Sequence, residues 1–431
     1  MLQEHTLALD LSTPDPATMN AHLAPPCLPL SAPAPAGLVC SSHFQPIYSL
    51  AHRRLIGVEG LLRAHDPQGQ PLSPADLFAP HMPLNQRTAL DRHARALHVA
   101  HYARLGLNNS WLFLNADAEG FLLDPQAVDR FPDWLAAHGL TPDCVVLEVL
   151  EHRIDDLDAL VAALQQLKQQ GCVIAVDDFG AGHANIDRLW RLEPDIVKLD
   201  RSLLRDASQT RQARALYPRL VAMLQEIGAL VVAEGVETER EGVIALESQA
   251  DFVQGYYFAR PAPQLPDSLQ VLPVLDTLWH DFEVREQARR QNAAAVYRSV
   301  HAAFRQCANA LAAGIPLAEA SIMLRQHPDV LRCFLLNQFG EQVGDNIGAY
   351  SASSLRRFAP LADAKGARWS RRPYFRSALE QPGRVQLTQP YLSVTEPVSC
   401  VTMSLALEVH ERVHVLCTDL HWHERVSLPP A

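Results

Sequence analysis

Seven apolar segments of this chain each end in, or just after, a polar or charged side chain. Continuous apolar runs are typical of parallel β-strands covered by helices, because both faces of such a strand are buried. The runs and their polar residues are LIGVE with Glu59, WLFLN with Asn115, CVVLE with Glu148, VIAVDD with Asp177 and Asp178, IVKLD with Lys198, ALVVAE with Glu234 and DFVQ with Gln254. Strands of a closed (β/α) barrel end at one rim, so these side chains are expected to lie together there.

Amphipathic helical segments separate the apolar runs. Residues 88–105, 158–171 and 217–229 repeat apolar residues at helical spacing. Strands and helices therefore alternate through residues 40–262, which favours a parallel α/β architecture. With SHFQPIYSL at 42–50 the region holds about eight strands, a number that suits a TIM-like (β/α)8 barrel better than a small open sheet. The spacing of apolar residues does not by itself decide whether the sheet closes.

The pattern changes on either side of this region. The first residues are rich in Pro and Ala and cannot bury enough surface to order themselves. A long helical pattern at 284–314 ends at Gly314, followed by Pro316, and predicts a connecting and dimerising helix. We divide the chain into a flexible tail at 1–38, a barrel at 39–265, a linker with connecting helices at 266–324 and a small α+β module at 325–427.

Composition narrows the class of protein. A formal net charge of -11 argues against a general nucleic-acid binder, which usually has a basic face. The eight cysteines include no CxxC pair and lie mostly in or beside apolar runs, as expected of buried thiols in a cytosolic protein. No segment approaches the roughly 20 apolar residues of a membrane span, and the N-terminus lacks a signal-peptide pattern. We therefore expect a cytoplasmic protein.

Asp177 and Asp178 are adjacent at the end of one predicted strand. Neighbouring carboxylates repel each other unless a cation lies between them. Taken alone, the pair is equally typical of a helix cap with a surface acid. Together with Glu59, Asn115 and Glu148 at other strand ends, it predicts a metal site. An all-oxygen ligand set favours Mg²⁺ or Mn²⁺ over zinc, and two ions bridged by one Asp suit phosphodiester hydrolysis.

Lys198 and Glu234 are the other strong candidates. The Lys198 ammonium, if it points into a cavity lined by strands, must pair with an anion. It either stabilises phosphate charge and orients water or forms a plain buried ion pair. Glu234 is placed to act as a general base or as a hydrogen-bond acceptor beside the site. Asp200 and Glu237 are either site residues or members of salt bridges.

The order and spacing of these motifs resemble the EAL family of cyclic di-GMP phosphodiesterases. The resemblance covers residues 42–262 and rests on FQPIYSL, GVEGLLR, LFLN, LEVLE, VDDFGAG, IVKLDRSL, VAEGVE and QGYYFARP. It implies a TIM-like barrel with one strand reversed, two Mg²⁺ or Mn²⁺ ions, and hydrolysis of cyclic di-GMP to linear pGpG. It also implies a homodimer, because the family's loop-anchoring glutamate, matched here by Glu151, links a flexible loop to dimerisation.

The resemblance assigns roles to individual residues. The implied metal ligands are Glu59, Asn115, Glu148, Asp177 and Asp178. Catalysis would rest on Glu59, Lys198 and Glu234, of which the last two handle the attacking water. Substrate contacts are implied for Gln45, Arg63, Asp200, Glu237 and Gln254. Three positions depart from the family pattern, namely Gly60 for Ala, Leu150 for Thr and His183 for an aromatic residue; none removes a ligand, so they bear on rate and regulation more than on chemistry.

The C-terminal module resembles, less specifically, PAS/Cache-like sensor domains attached to some EAL proteins. WSRRPYF, QPYLSV and TDLHW are the matching strings. They predict a pocket for a small polar ligand lined by Trp369, Arg371, Tyr374, Tyr391 and Asp419. A dimerisation or scaffold module without a pocket is an equal alternative.

Three functions follow from these patterns. The leading one is an active cyclic di-GMP phosphodiesterase regulated by its C-terminal module. The second is a catalytically silent cyclic di-GMP receptor, although none of the matched ligand positions is lost. The third is a protein-interaction module that uses only the surface of the barrel.

Overall fold

The computed structural model of the chain describes two compact units. The first holds the described residues up to Arg205 together with Leu220–Thr238 and Ala250–Val271, and the second holds Asp206–Arg219, Glu239–Gln249 and the described residues after Leu272. The described residues are 37–78, 82–107, 109–116, 125–150, 156–182, 186–266, 268–348, 363–394 and 398–422. Residues 1–36 of the predicted tail, Glu151 and His183 lie outside them.

The sheet of the first unit closes into a barrel of eight strands. Its strands are β1 Val39–Ser49, β2 Arg54–His65, β3 Pro71–Leu72, β4 Trp111–Asn115, β5 Val145–Leu150, β6 Val173–Phe179, β7 Ile196–Leu199, β8 Leu230–Ala233 and β9 Phe252–Val253. The order is β1-β9-β8-β7-β6-β5-β4-β2-β3, and pairing of β1 with β2 closes the ring and leaves β3 outside it. β1 is antiparallel to both of its neighbours, while the other neighbours in the ring are parallel. The predicted TIM-like barrel is confirmed.

Helices follow the barrel strands as the sequence pattern predicts. They are α1 Pro74–Leu77, α2 Leu84–Leu105, α3 Pro125–Asp129, α4 Phe131–Ala136, α5 Leu157–Gln169, α6 Ile186–Leu192, α7 Arg201–Gln209, α8 Arg211–Glu226 and α9 Glu239–Glu247. The predicted segment 217–229 starts too late, because α8 begins six residues earlier. The hydroxyl of Thr210 accepts a hydrogen bond from the Ala213 amide there, and the helix continues through Pro218.

One apolar layer fills the lower part of the barrel interior. Seven of the eight ring strands contribute one side chain each: Ile47, Phe113, Val146, Ala175, Ile196, Val232 and Phe252. The eighth strand, β2, contributes Gly57, where a Cβ atom would lie 2.7 Å from the Phe113 ring. Gly57 is therefore the residue that lets the large Phe113 side chain fill this level. We call these eight positions the floor layer.

The second unit is built on an antiparallel sheet. Its strands are β10 Val330–Asn337, β11 Ile347–Gly348, β12 Gln386–Leu387, β13 Tyr391–Leu392, β14 Ser399–Val409 and β15 Arg412–His421. The order is β11-β10-β15-β14-β12, with β13 also paired to β14. A mixed α+β module is confirmed. The short strands β12 and β13 lie on either side of Pro390, which has no N–H for a ladder.

Helices cover both faces of this sheet. They are α10 Ser268–Ala312, α11 Leu317–Ala320, α12 Ile322–Arg325 and α13 Pro373–Glu380. Phe304 and Leu311 of α10 share a buried cluster with Met403 and Leu416. Phe375 of α13 belongs to a separate cluster on other strand side chains. The predicted helix 284–314 is part of the longer α10. This helix ends at Ala312, and Gly314 just beyond it has a left-handed conformation.

Two further expectations concern cysteines and membranes. The seven cysteines within the described ranges are all free thiols, and five of them are buried. None of the described helices has the length and apolarity needed to cross a bilayer.

Candidate active site

A polar layer lies directly above the floor layer of the barrel. Side chains along a strand alternate between its two faces, so the residue two positions beyond each floor residue also points inward. In β2, for example, Gly57 is followed by Glu59, and in β5 Val146 is followed by Glu148. β1 runs in the opposite direction, so Gln45 precedes Ile47 and pairs with Glu59. The polar layer comprises Gln45, Glu59, Asn115, Glu148, Asp177, Lys198, Glu234 and Gln254.

A β-bulge adds Asp178 to this layer. β6 pairs with β7 at Val176 and again at Phe179, so that Asp177 and Asp178 together lie opposite the single residue Lys198. Asp178 has a φ of 55°, a left-handed conformation that is costly for a residue other than glycine. Neighbouring strand residues ordinarily point to opposite faces, and the bulge removes that constraint. Oxygens of Asp177, Asp178 and Glu234 accordingly lie within 4.8 Å of one another.

Lys198 is surrounded by carboxylates. Its side chain is 1% exposed. The Nζ atom lies 2.6 Å from Glu148, 2.7 Å from Glu234, 3.1 Å from Asp177 and 3.4 Å from Glu59. An ammonium group has three N–H donors, so it cannot satisfy four carboxylates at once. The predicted pairing of this lysine is confirmed, but its partners are too many for a plain ion pair.

The site has an excess of negative charge. Five carboxylates and one ammonium leave a formal deficit of four positive charges when all are ionised. Both oxygens of Glu148 and Oδ1 of Asp177 are buried without a well-directed hydrogen bond from any described residue, despite the nearby ammonium. Buried acceptors of this kind are costly unless a cation or donor meets them. The oxygen-only donor set fits divalent cations such as Mg²⁺ or Mn²⁺.

The pKa values of the carboxylates reflect the same excess of negative charge. Burial raises the pKa of Glu234 to about 8, and Asp177 and Glu59 add to the effect against the opposing Lys198 charge. Burial also raises the pKa of Glu148 well above its ordinary value. The pKa of Asp178 is raised by burial and by Asp177. Without a metal ion, protons therefore supply part of the missing positive charge.

The pKa of the lysine moves in the direction that strengthens the cluster. Burial alone would lower the pKa of Lys198, because it disfavours the charged ammonium. The facing carboxylates of Asp177, Glu148, Glu234 and Glu59 outweigh that effect and raise the pKa well above its ordinary value. The ammonium thus stays charged at every physiological pH.

Two amides hold Glu59 in place. Gln254 Nε2 donates to Glu59 Oε2 over 2.7 Å, and Asn115 Nδ2 lies 3.4 Å from Glu59 Oε1. Gln254 is almost completely buried, and its own Oε1 has no hydrogen-bond partner among the described residues. The residue that ends the seventh apolar run therefore does more than close the barrel, since it fixes the first carboxylate of the site.

The comparison with known families agrees with this geometry. The EAL domain model matches residues 40–261, more than half of the chain. The chain belongs to the EAL domain family.

Relatives of this EAL protein match the barrel region. An uncharacterized protein of Azorhizobium caulinodans is 32% identical over 246 residues, which cover 53% of this chain and 33% of that protein. The cyclic di-GMP phosphodiesterase NbdA of Pseudomonas aeruginosa is 30% identical over 230 residues, or 51% of this chain and 29% of NbdA. The aligned region is therefore only about a third of the length of these relatives.

One solved structure matches most of the chain. The Bacillus subtilis YkuI protein, which has an EAL domain and was solved with its substrate c-di-GMP and calcium, aligns with a TM-score of 0.74. The alignment covers 89% of this chain and 96% of that chain at 20% identity. At this identity the likeness shows a shared fold.

A cavity opens beside Glu59 and Asn115 in this EAL domain. Its volume is about 360 Å³, and its wall includes the cationic side chains of Arg63, Arg87 and Arg95. Arg63 donates one hydrogen bond to the Leu62 carbonyl, and Arg95 pairs with Asp91 over 2.7 Å. Arg63 was expected from the sequence, whereas Arg87 and Arg95 had no motif to mark them. Leu150, one of the departures from the family pattern, also lines this cavity.

The remaining predicted substrate contacts are placed differently. Gln45 belongs to the polar layer, and its Nε2 donates to the Ala259 carbonyl over 3.4 Å. Asp200 accepts from the backbone amide and hydroxyl of Ser202 at the start of α7, which is the role of a helix cap. Glu237 is exposed just beyond β8. The structure thus brings Gln45 into the layer and leaves Asp200 and Glu237 outside it.

The glycine that departs from the family pattern has a structural cause. A Cβ atom on Gly60 would lie 2.7 Å from Cγ of His98, on helix α2. His98 is buried, and its Nδ1 forms a 2.6 Å hydrogen bond with the Ser42 hydroxyl. Burial, with nearby His101 and Arg63, lowers the pKa of His98 to about 3, so the ring is neutral. Gly60 and His98 therefore form a matched pair directly behind Glu59.

Four of the five predicted sensor residues line a small polar cavity in the second unit. Trp369, Tyr374, Tyr391 and Asp419 line it. Arg371 is exposed and is not among the lining residues; its neighbour Arg372 lines the cavity instead. Other lining residues that the sequence pattern did not indicate are Arg332, Gln342, Asn346 and Ser393.

Proposed function

We propose that this chain is a metal-dependent phosphodiesterase that hydrolyses cyclic di-GMP to linear pGpG. One observation carries the proposal: five carboxylates and an amide converge around a single buried lysine at the mouth of a closed barrel, with a deficit of four positive charges. Two divalent cations would make up that deficit. The relative NbdA is named a cyclic di-GMP phosphodiesterase, which supports this choice of substrate.

The side chains of the polar layer would hold two Mg²⁺ or Mn²⁺ ions. The ligands we propose are Glu59, Asn115, Glu148, Asp177 and Asp178, the last brought inward by the β-bulge. Glu234 shares one oxygen cluster with both aspartates and is a further candidate. Such ions lower the pKa of water and neutralise the attacking and leaving oxygens of a phosphodiester.

The chain's own groups would perform the remaining tasks. Glu234 accepts a proton from the attacking water, and its raised pKa brings its titration close to neutral pH. Lys198 keeps a fixed positive charge beside the same water and stabilises negative charge on the phosphate. Gln254 holds Glu59 in its orientation. Arg63, in the adjoining cavity, is suited to bind a phosphate oxygen.

Nucleotide turnover tests the proposal. Purified protein with Mg²⁺ or Mn²⁺ should convert cyclic di-GMP to pGpG, followed by chromatography, and a chelator should stop it. Glu59→Ala should lower turnover by roughly a thousandfold or more, because it removes a ligand held by two amides. Glu226→Ala, an exposed carboxylate at the end of α8, is the matched control and should retain wild-type turnover. Tight binding of cyclic di-GMP without turnover in both metals would favour a silent receptor and reject the phosphodiesterase.

We further propose that the C-terminal unit is a PAS/Cache-like sensor that regulates the barrel by binding a small molecule. Support comes from its single antiparallel sheet with helices on both faces and an internal polar cavity. Homodimer formation and a cytoplasmic location are part of the same proposal. Sedimentation of the purified protein and cell fractionation test these two points.

A further inference from the structure

We propose that the polar cavity of the second unit binds a small carboxylate anion, of formate or acetate size. The cavity lies where β10, β15 and β13 meet the segment before α13. Its volume is about 20 Å³, which exceeds the roughly 10–15 Å³ needed for one water molecule and excludes a nucleotide. The inference rests on the small-molecule binding proposed above for this unit and is independent of the proposed activity of the barrel.

The deepest wall of the cavity is a buried ion pair whose carboxylate is fully hydrogen-bonded. Arg332, 2% exposed, donates through Nε to Asp419 Oδ2 over 2.7 Å and through Nη2 to the Ser393 hydroxyl. The other carboxylate oxygen, Asp419 Oδ1, accepts from Thr402 over 2.7 Å and lies 3.4 Å from the Tyr391 hydroxyl. Both oxygens of this buried carboxylate therefore already have partners, so the carboxylate does not require a bound cation.

A chain of hydrogen bonds fixes the direction of an amide on the opposite wall. The indole N–H of Trp369 donates to Gln342 Oε1 over 3.0 Å, so the Gln342 amide presents its NH₂ group on the other side. That NH₂ group donates to Asn346 Oδ1 over 2.9 Å. Since the oxygen of Asn346 is the acceptor, its Nδ2 group is the free end. Nδ2 is buried and has no hydrogen-bond partner among the described residues.

Arg372 supplies a second donor together with a positive charge. Its guanidinium lies 5.4 Å from the centre of the Tyr391 ring, which holds it against the cavity. Its Nε is buried and likewise finds no hydrogen-bond acceptor in the described part of the chain. Burying a donor of a charged group without an acceptor is costly. The cavity therefore lacks acceptor atoms for these buried donors.

The charge of the lining selects an anion. Arg332 and Asp419 cancel, and Arg372 is the remaining charged residue of the lining, so the wall carries one net positive charge. A carboxylate offers two acceptor oxygens and one negative charge, which match two buried donors and one uncompensated guanidinium. The aromatic rings of Tyr374 and Tyr391 complete the wall and suit the short apolar end of such an anion.

Anion binding to the full chain tests the proposal. Saturation-transfer NMR and calorimetry with sodium formate and sodium acetate, at constant ionic strength set by sodium chloride, should detect binding to the wild type. Sodium nitrate separates a requirement for a carboxylate from a general preference for planar oxyanions. Absence of binding by both carboxylates, or binding of chloride and nitrate with equal affinity, would overturn the proposal.

Two variants locate the site. Asn346→Asp replaces the donor with a negative oxygen at constant size and should weaken acetate binding by roughly tenfold or more. Arg372→Gln should do the same by removing the charge. Arg371→Gln is the matched control, because this neighbouring arginine is exposed, and it should bind like the wild type. Circular dichroism identifies any variant that fails to fold, and unchanged affinity in either folded site variant would reject the assignment.

Discussion

The barrel and the C-terminal unit both bury charged side chains, but they balance them in opposite ways. In the barrel one lysine faces four carboxylates, and several buried oxygens lack a well-directed donor. In the C-terminal unit one aspartate and one arginine form a buried ion pair, and the buried groups that lack a hydrogen-bond partner in the cavity wall are donors. The first arrangement calls for cations and the second for an anion. The two sites therefore differ in what their buried groups lack: the barrel site lacks positive charge, and the C-terminal cavity lacks hydrogen-bond acceptors.

Removing one carboxylate from each unit should change stability in opposite directions. Asp419→Asn leaves Arg332 buried without its counter-charge and should lower the free energy of unfolding by about 3 kcal/mol or more. Glu148→Gln in chelator removes one of several mutually repelling carboxylates and should raise it by roughly 1 kcal/mol. Urea unfolding of both variants measures the two changes.

Hydrogen exchange assigns each change to its unit. Protection should fall in β10 and β15 of the Asp419→Asn variant and should be kept or increased in β5 and β6 of the Glu148→Gln variant. The same sign of change in both variants would show that the two sites do not differ in charge balance as the structure indicates.

The stability of the metal-free protein should fall as pH rises through the neutral range. Burial raises the pKa of Glu234 from its ordinary 4.5 to about 8. Between these two values the folded protein retains a proton that the unfolded chain has lost, so stability is full below about 4.5 and is lost progressively up to about 8. The expected loss is on the order of a few kcal/mol.

Unfolding by denaturant in chelator, from about pH 5 to about pH 8, measures this slope. Glu234→Gln, which cannot titrate, is the control and should show a clearly smaller slope. Saturating Mn²⁺ should also reduce it, because cations replace the protons. A slope that is the same in the variant and in the wild type would assign the effect to other groups.

Gly60→Ala should lower the stability of the barrel by less than Asp419→Asn lowers that of the C-terminal unit. The new methyl group meets His98 at 2.7 Å, and overpacking of this kind typically costs about 1–3 kcal/mol. The double variant Gly60→Ala with His98→Ala should recover part of that loss, because the clash is gone. A double-mutant cycle by thermal unfolding gives the coupling energy, and additive effects would show that the two residues do not form a matched pair.

The sequence was most informative where one physical rule applied to every strand. Apolar runs that ended in polar residues predicted the barrel, and their alternation placed Glu59, Glu148 and Lys198 at one level. Asp178 needed the bulge in β6, which its sequence neighbours do not indicate without the family resemblance. The pairing of Gly60 with His98 joins residues far apart in the chain, and no local pattern marks it.

The C-terminal unit was harder to predict for a related reason. Its cavity lies between strands whose partners are set by tertiary pairing, so the aromatic strings were visible in the sequence but the strand register was not. Arg371 and Arg372 are neighbours in the chain, and only the start of α13 at Pro373 decides which of them turns inward. Arg332 reads as one charged residue in an apolar run until its register opposite Asp419 is known.

The floor layer has a consequence for traffic through the barrel. Apolar side chains from seven strands, with Phe113 filling the space at Gly57, block the interior below the carboxylates. The barrel interior is therefore closed at one end and open at the other. Under the proposed activity, product would leave by the opening through which substrate arrives, so the two would compete for the same passage.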